Sequence, residues 1–154
     1  MHANAAGLGI PAQNVPSLLN YMNTHFSKES FDNCYLVDYV LNAKEDISNL
    51  LYIFASHPEY FGNGIDEPRF IIKNIPLSNV TFMGVNKDST KIIYNQIEYV
   101  RFKDVHFVDT INVNRKRVVD IYCKAGLNTW GGRTSIQCII DDYEFKFDES
   151  RYAF

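Results

Sequence analysis

The chain has 154 residues, 46% hydrophobic, 14% aromatic and 21% charged, with a formal net charge of −3. That apolar content excludes a disordered chain, and no run of about 18 apolar residues is present to cross a membrane as a helix. The length allows one ordinary domain or two small ones. Residues 1–10, MHANAAGLGI, show neither a basic n-region nor a true apolar h-region. No signal peptide is therefore expected, and a soluble cytoplasmic protein without membrane association is the default. Three cysteines (Cys34, Cys123, Cys138) without a CxxC spacing argue against a disulfide framework and a structural zinc.

Charge is spread unevenly. Residues 1–68 carry two basic against eight acidic side chains (−6), residues 69–140 eleven against five (+6), and residues 141–154 two against five (−3). A basic middle between acidic ends suggests an anionic partner for residues 69–140; a merely solvated β surface explains it equally well.

In chain order, Pro16 suits a first helical turn, and Leu18, Leu19, Met22 and Phe26 follow at helical spacing. Cys34 to Leu41 is rich in β-formers and reads as a strand. Glu45 and Asp46 favour the start of a second helix with Ile47, Leu50, Leu51 and Phe54 on one face, ending at His57-Pro58. Tyr60 to Pro68, with two glycines and a proline, reads as a loop. Beyond it lie short β-like runs: 69–75, 80–85, 91–95, 97–102, 105–108, 117–127 and 134–147. Turn signals separate them at the spacing of a small barrel or sandwich. Val119, Ile121, Cys123 and Ala125 share one face of their strand, and Ile136, Cys138 and Ile140 one face of the next. Trp130-Gly131-Gly132 is the hairpin corner between them. The expected fold class is α+β: a small α/β segment over residues 1–65, a β-barrel over 66–148 and a tail over 149–154.

Catalytic patterns are missing. Cys123 and Cys138 fall on apolar faces as buried filler. His2, His25, His57 and His106 lack ligand-spaced partners, and there is no Walker loop, paired-aspartate motif or Ser/His/Asp set. No metal site is expected in this chain. Basic and aromatic residues do interleave in the β region: Lys91, Tyr94, Tyr99, Arg101, Lys103, Arg115, Lys116, Arg117, Tyr122, Lys124, Trp130 and Arg133. Cations along phosphates with flat rings for bases are what a single-stranded nucleic-acid site requires. Tyr94, Tyr99 and Trp130 are equally able to pack. Arg115-Lys116-Arg117, three adjacent cations beside a loop, is the strongest element, since phosphate is their natural partner.

Three segments carry a family resemblance. His2-Ala3-Asn4-Ala5-Ala6-Gly7-Leu8 resembles the Gly-Gly-His-x-x-Ala-Ala-Gly motif in the accessory (DHHA1) domain of DHH-type phosphoesterases, with Met1 in place of the second glycine. Phe61-Gly62-Asn63-Gly64-Ile65-Asp66-Glu67-Pro68-Arg69-Phe70 is similar to the Phe-Gly-x-Gly-Asn-Pro-Glu-Pro-x-Phe segment of RecJ-type single-stranded-DNA exonucleases, with Ile65-Asp66 for Asn-Pro. Val119 to Gln137, through Leu127-Asn128-Thr129-Trp130-Gly131-Gly132, resembles the closing hairpin of that family's OB domain. The resemblance implies an OB-like barrel of five to seven strands at the C-terminal end of a 5′→3′ exonuclease. A DHH domain elsewhere, fused or separate, would hold Mn²⁺ or Mg²⁺ and hydrolyse phosphodiesters in DNA repair and recombination; this piece alone would be inactive and need no cofactor. His2 would approach the substrate phosphate once that domain is supplied. Single-stranded DNA would lie on the basic–aromatic face. A stand-alone protein-interaction module is the rival expectation, which a shallow salt dependence of binding would favour.

Overall fold

The computed structural model describes residues 9–26, 35–113 and 117–147. The chain divides into two compact units, residues 1–35 and 36–154. In the first, a turn at Ala12–Asn14 leads into α1 (Val15–His25), with Pro16 in its first turn as expected. Its last turn is tied by Thr24 Oγ1, which donates to the Asn20 carbonyl at 2.9 Å, and by the Tyr21 ring stacked on His25 at 3.9 Å.

The second unit contains β1 (Tyr39–Asn42), α2 (Ser48–Ala55), β2 (Phe70–Pro76), β3 (Val80–Met83), β4 (Ser89–Tyr94), β5 (Ile97–Arg101), α3 (Val105–Val113), β6 (Arg117–Trp130) and β7 (Arg133–Phe147). All seven strands form one sheet in the order β1-β2-β6-β7-β5-β4-β3. This order forces closure. Apart from β1, the outermost strands are β2 and β3, and only residues 77–79 join them. Such a link reaches about 14 Å at full stretch. The two edges must therefore meet, and β2 and β3 are halves of one bent strand of a five-stranded barrel, the OB arrangement. The bend begins at Asn74, whose φ of 63° accompanies a register shift between Ile72 and Ile75. Its N–H is not stranded: it donates to the buried Asp120 Oδ1 at 2.9 Å.

The barrel interior takes alternate residues. Val119, Ile121, Cys123 and Ala125 of β6 are buried, with Cys138 and Ile140 of β7, against Phe70, Ile72, Ile75, Ile92 and Ile97. Both cysteines are free thiols. The Cys123 thiol is pushed up by its hydrogen bond with Cys138 and by burial, which keeps it protonated and makes it filler rather than a nucleophile.

The structure departs from the sequence-based expectations at four places. The second compact unit begins at Leu36 rather than near residue 66, because β1 pairs in parallel with β2 and α2 packs on β6 and β7. The first strand covers Tyr39–Asn42, not Cys34 to Leu41; Cys34 lies outside the described residues. The run 105–108 is not a strand but the start of α3. Asp104 caps it, with Oδ1 accepting the Phe107 N–H at 2.9 Å and its carbonyl the Val108 N–H at 3.2 Å. Phe107, Val108 and Ile111 then bury one helical face, and the Phe107 ring lies 4.4 Å from that of Tyr143. Finally, Tyr99 is wholly buried in the core and has no surface for a base to stack on.

Candidate nucleic-acid interface

A groove of about 1180 Å³ opens where the β6–β7 turn meets the outer surface of β4 and β5. Local chemistry builds the turn. Gly131 and Gly132 both lie at positive φ (58° and 77°), the two-residue geometry whose twist matches the flanking strands. Trp130 and Arg133 are the closing cross-strand pair, and the Thr129 and Thr134 hydroxyls bond at 2.9 Å one rung below. Residues opposite one another in an antiparallel pair project to the same side, about 5 Å apart at Cβ. A large ring and a guanidinium therefore stand together, and Trp130 is 82% exposed. Arg133 is exposed too and, among the described residues, has no ion pair.

On the opposite wall Lys91 (β4) lies 3.6 Å from Glu98 Oε2 (β5), and Gln137 Nε2 of β7 donates to the same oxygen at 3.2 Å. From α2, Ser48 and the half-exposed Tyr52 complete the lining. Two rings, two cations and one carboxylate thus share a concave surface. Flat rings are surfaces on which bases can stack, and a guanidinium is a bidentate partner for phosphate.

Of the residues expected to bind nucleic acid, the groove gathers Lys91, Trp130 and Arg133. The others stand elsewhere. Tyr94 packs against the core. Arg101 is tied down: Nε donates to Asp104 Oδ2 at 2.9 Å, and Nη1 to the carbonyls of Ile140 and Asp141 at 2.9 and 2.6 Å. Although burial works the other way, the Phe107 N–H and the Arg101 guanidinium hold the Asp104 carboxyl below the usual carboxylate range. Lys103 is exposed just beyond β5, its N–H donating to Ser89 Oγ at 3.1 Å. Lys124 pairs with Glu67 at 3.3 Å. The Tyr122 hydroxyl donates to the Leu36 carbonyl at 3.3 Å, with Arg69 5.8 Å over its ring. Arg117 starts β6, half-buried. Arg115, Lys116 and His2 lie outside the described residues.

Charge segregation along the chain is therefore partly cancelled in space. Arg69 bonds Asp141 and Lys124 reaches Glu67, so acids of the flanking segments neutralise cations of the basic middle. Sequence reasoning missed Glu98, Gln137 and Tyr52. Strand alternation places Glu98 opposite Tyr99 and so on the outer face, but nothing local brings α2 to the hairpin tip. Among the described residues no three His, Cys, Asp or Glu side chains come together to hold a metal ion, so the Mn²⁺ or Mg²⁺ implied by the resemblance finds no donor set among them. No helix among them is long and apolar enough to cross a membrane.

A five-stranded barrel of this order, with a groove between its second and third strands and the turn joining its last two, is the architecture by which OB domains bind oligonucleotides and oligosaccharides. Residues 37–142 match the RecJ OB domain, well over half of the chain, and the chain belongs to that family. It is 28% identical, over 154 aligned positions, to YorK of Bacillus subtilis (strain 168), named as an SPbeta prophage-derived single-strand DNA-specific exonuclease. The same identity holds to the protein of that name from Bacillus phage SPbeta. Each alignment covers 94% of this chain but 26% of the relative, so the chain spans about a quarter of their length.

Proposed function

We propose that this chain is the strand-holding, C-terminal part of a RecJ-like 5′→3′ single-stranded-DNA exonuclease. It guides single-stranded DNA toward a DHH catalytic domain, fused or separate, that uses Mn²⁺ or Mg²⁺ to hydrolyse the phosphodiester. In this reading the residues ahead of the RecJ OB match, 1–36, belong to the end of a DHHA1-like accessory domain and connector, and His2 approaches the substrate phosphate once the catalytic domain is present. The chain alone binds without cutting, and its setting is cytoplasmic DNA repair and recombination.

The observation that carries the reading is the exposed Trp130 beside Arg133, which has no ion pair among the described residues, both lining the groove. Buried or ion-paired, these side chains would serve the fold; left open on a concave OB surface, they suit a base and its phosphate. Membership of the RecJ OB family and the names of the two relatives favour DNA as the occupant.

The test is fluorescence anisotropy with a labelled single strand of about 15 nucleotides, near the upper OB site size, at two salt concentrations. Binding that weakens with salt and exceeds duplex binding supports the proposal. No binding at low salt would sink it and favour a protein partner for the barrel.

A further inference from the structure

Glu98 occupies an unusual place for a carboxylate in a site for polyanions. It lies in the groove wall with its side chain 17% exposed, between Ile93 of β4 and Gln137 of β7 in the ladder. Lys91 and Gln137 both address its Oε2, at 3.6 and 3.2 Å. Among the described residues nothing donates to Oε1. An ionised carboxylate is acceptor-only, so this oxygen, open to solvent, can take from any occupant of the groove only a donor in place of water. A phosphate cannot supply one and is repelled. With the phosphate taken by Arg133 on the proposed reading, the base is the part of a nucleotide left to meet Glu98 in the same groove.

Bases differ at that edge. Cytosine, adenine and guanine carry an exocyclic amino group; thymine does not, and its one ring N–H is flanked by carbonyls that a carboxylate repels. We infer that Glu98, held by Lys91 and Gln137, is a base-selecting acceptor that makes the groove prefer amino-bearing bases, cytosine over thymine in particular. The inference rests on the reading that the groove holds single-stranded nucleic acid.

Oligo(dC) and oligo(dT) of about 15 nucleotides, near neutral pH, isolate the effect, because the two pyrimidines offer rings of the same size for stacking. The full chain is expected to bind oligo(dC) about fivefold or more tightly than oligo(dT), the low end of what one good base contact discriminates. Glu98→Gln is expected to bring the ratio close to one by weakening oligo(dC) binding, since the amide presents a donor as readily as an acceptor. Equal affinities in the unaltered protein would overturn the inference while leaving the groove as the binding site. A preference that survives Glu98→Gln would also overturn it, by placing the selection elsewhere. Failure of both oligomers to bind at low salt would instead remove the nucleic-acid reading itself, and the inference with it.

Discussion

Strand β5 places its second residue, Glu98, beside the groove and ends, three residues on, at Arg101. At Arg101 the Nε and Nη1 donors have work within the fold, at Asp104 and two β7 carbonyls, and the Tyr143 ring lies 5.5 Å from the guanidinium. Asp104 in turn caps α3. At the other end Glu98 has one oxygen satisfied, while Trp130 and Arg133 face solvent across the groove. Residue types are alike at the two ends, yet one end is spent on holding β5, β7 and α3 together and the other is left open for a ligand. A cation's availability is thus a property of its neighbours, which no charge count along the chain reports.

Four substitutions sharpen this contrast. Arg101→Ala should cost the most, about 2–3 kcal/mol of unfolding free energy, because it strands a partly buried carboxylate and two carbonyls. Urea unfolding would read it, and the folded fraction should keep its strand affinity; a variant as stable as the parent would erase the distinction between the ends. Trp130→Ala should do the reverse. The ring is exposed, so the unfolding midpoint should stay put, while affinity for a single strand falls by the about 1–3 kcal/mol that one stacked base contributes. Unchanged anisotropy titrations would remove Trp130 from the interface.

Arg133→Gln should be milder, lowering affinity a few-fold and reducing the salt slope by about one, as expected for the loss of one phosphate contact. Asp104→Asn should be the smallest near the acid end of the pH range. The folded carboxyl ionises below its ordinary value, so its stabilisation is present above the usual carboxylate range and is lost as pH falls through the folded value. Urea midpoints of parent and variant should differ near neutrality and converge in acid. A gap independent of pH would mean that Asp104 contributes shape rather than charge.

The buried faces of β6 and β7 are legible in the sequence, because alternation at Val119, Ile121, Cys123 and Ala125 is a local pattern with period two. Local pattern misassigns 105–108, where Val, Phe and Val suit a strand in isolation. The cap at Asp104 and the spacing of Phe107 and Ile111 favour a helix, and contact with the Tyr143 and Phe145 rings completes it. Among the aromatics interleaved with cations, Tyr99 and Trp130 are equivalent by composition; one is sealed in the barrel and the other is open. Strand direction alone assigns Tyr99 inward, whereas Trp130 depends on what the hairpin tip meets.

The sequence by itself determined the elements that rest on near neighbours: α1 and α2 from helical spacing, the strand faces from alternation, and the turn from two glycines able to take positive φ. Tertiary structure alone decided the site. The parallel pairing of β5 with β7 brings the outer face of β4 and β5 beside the β6–β7 tip. Arg69 with Asp141 and Lys124 with Glu67 then withdraw cations from the basic middle. These contacts join residues dozens of positions apart, and their energies depend on separation in space, which periodicity along a chain does not encode.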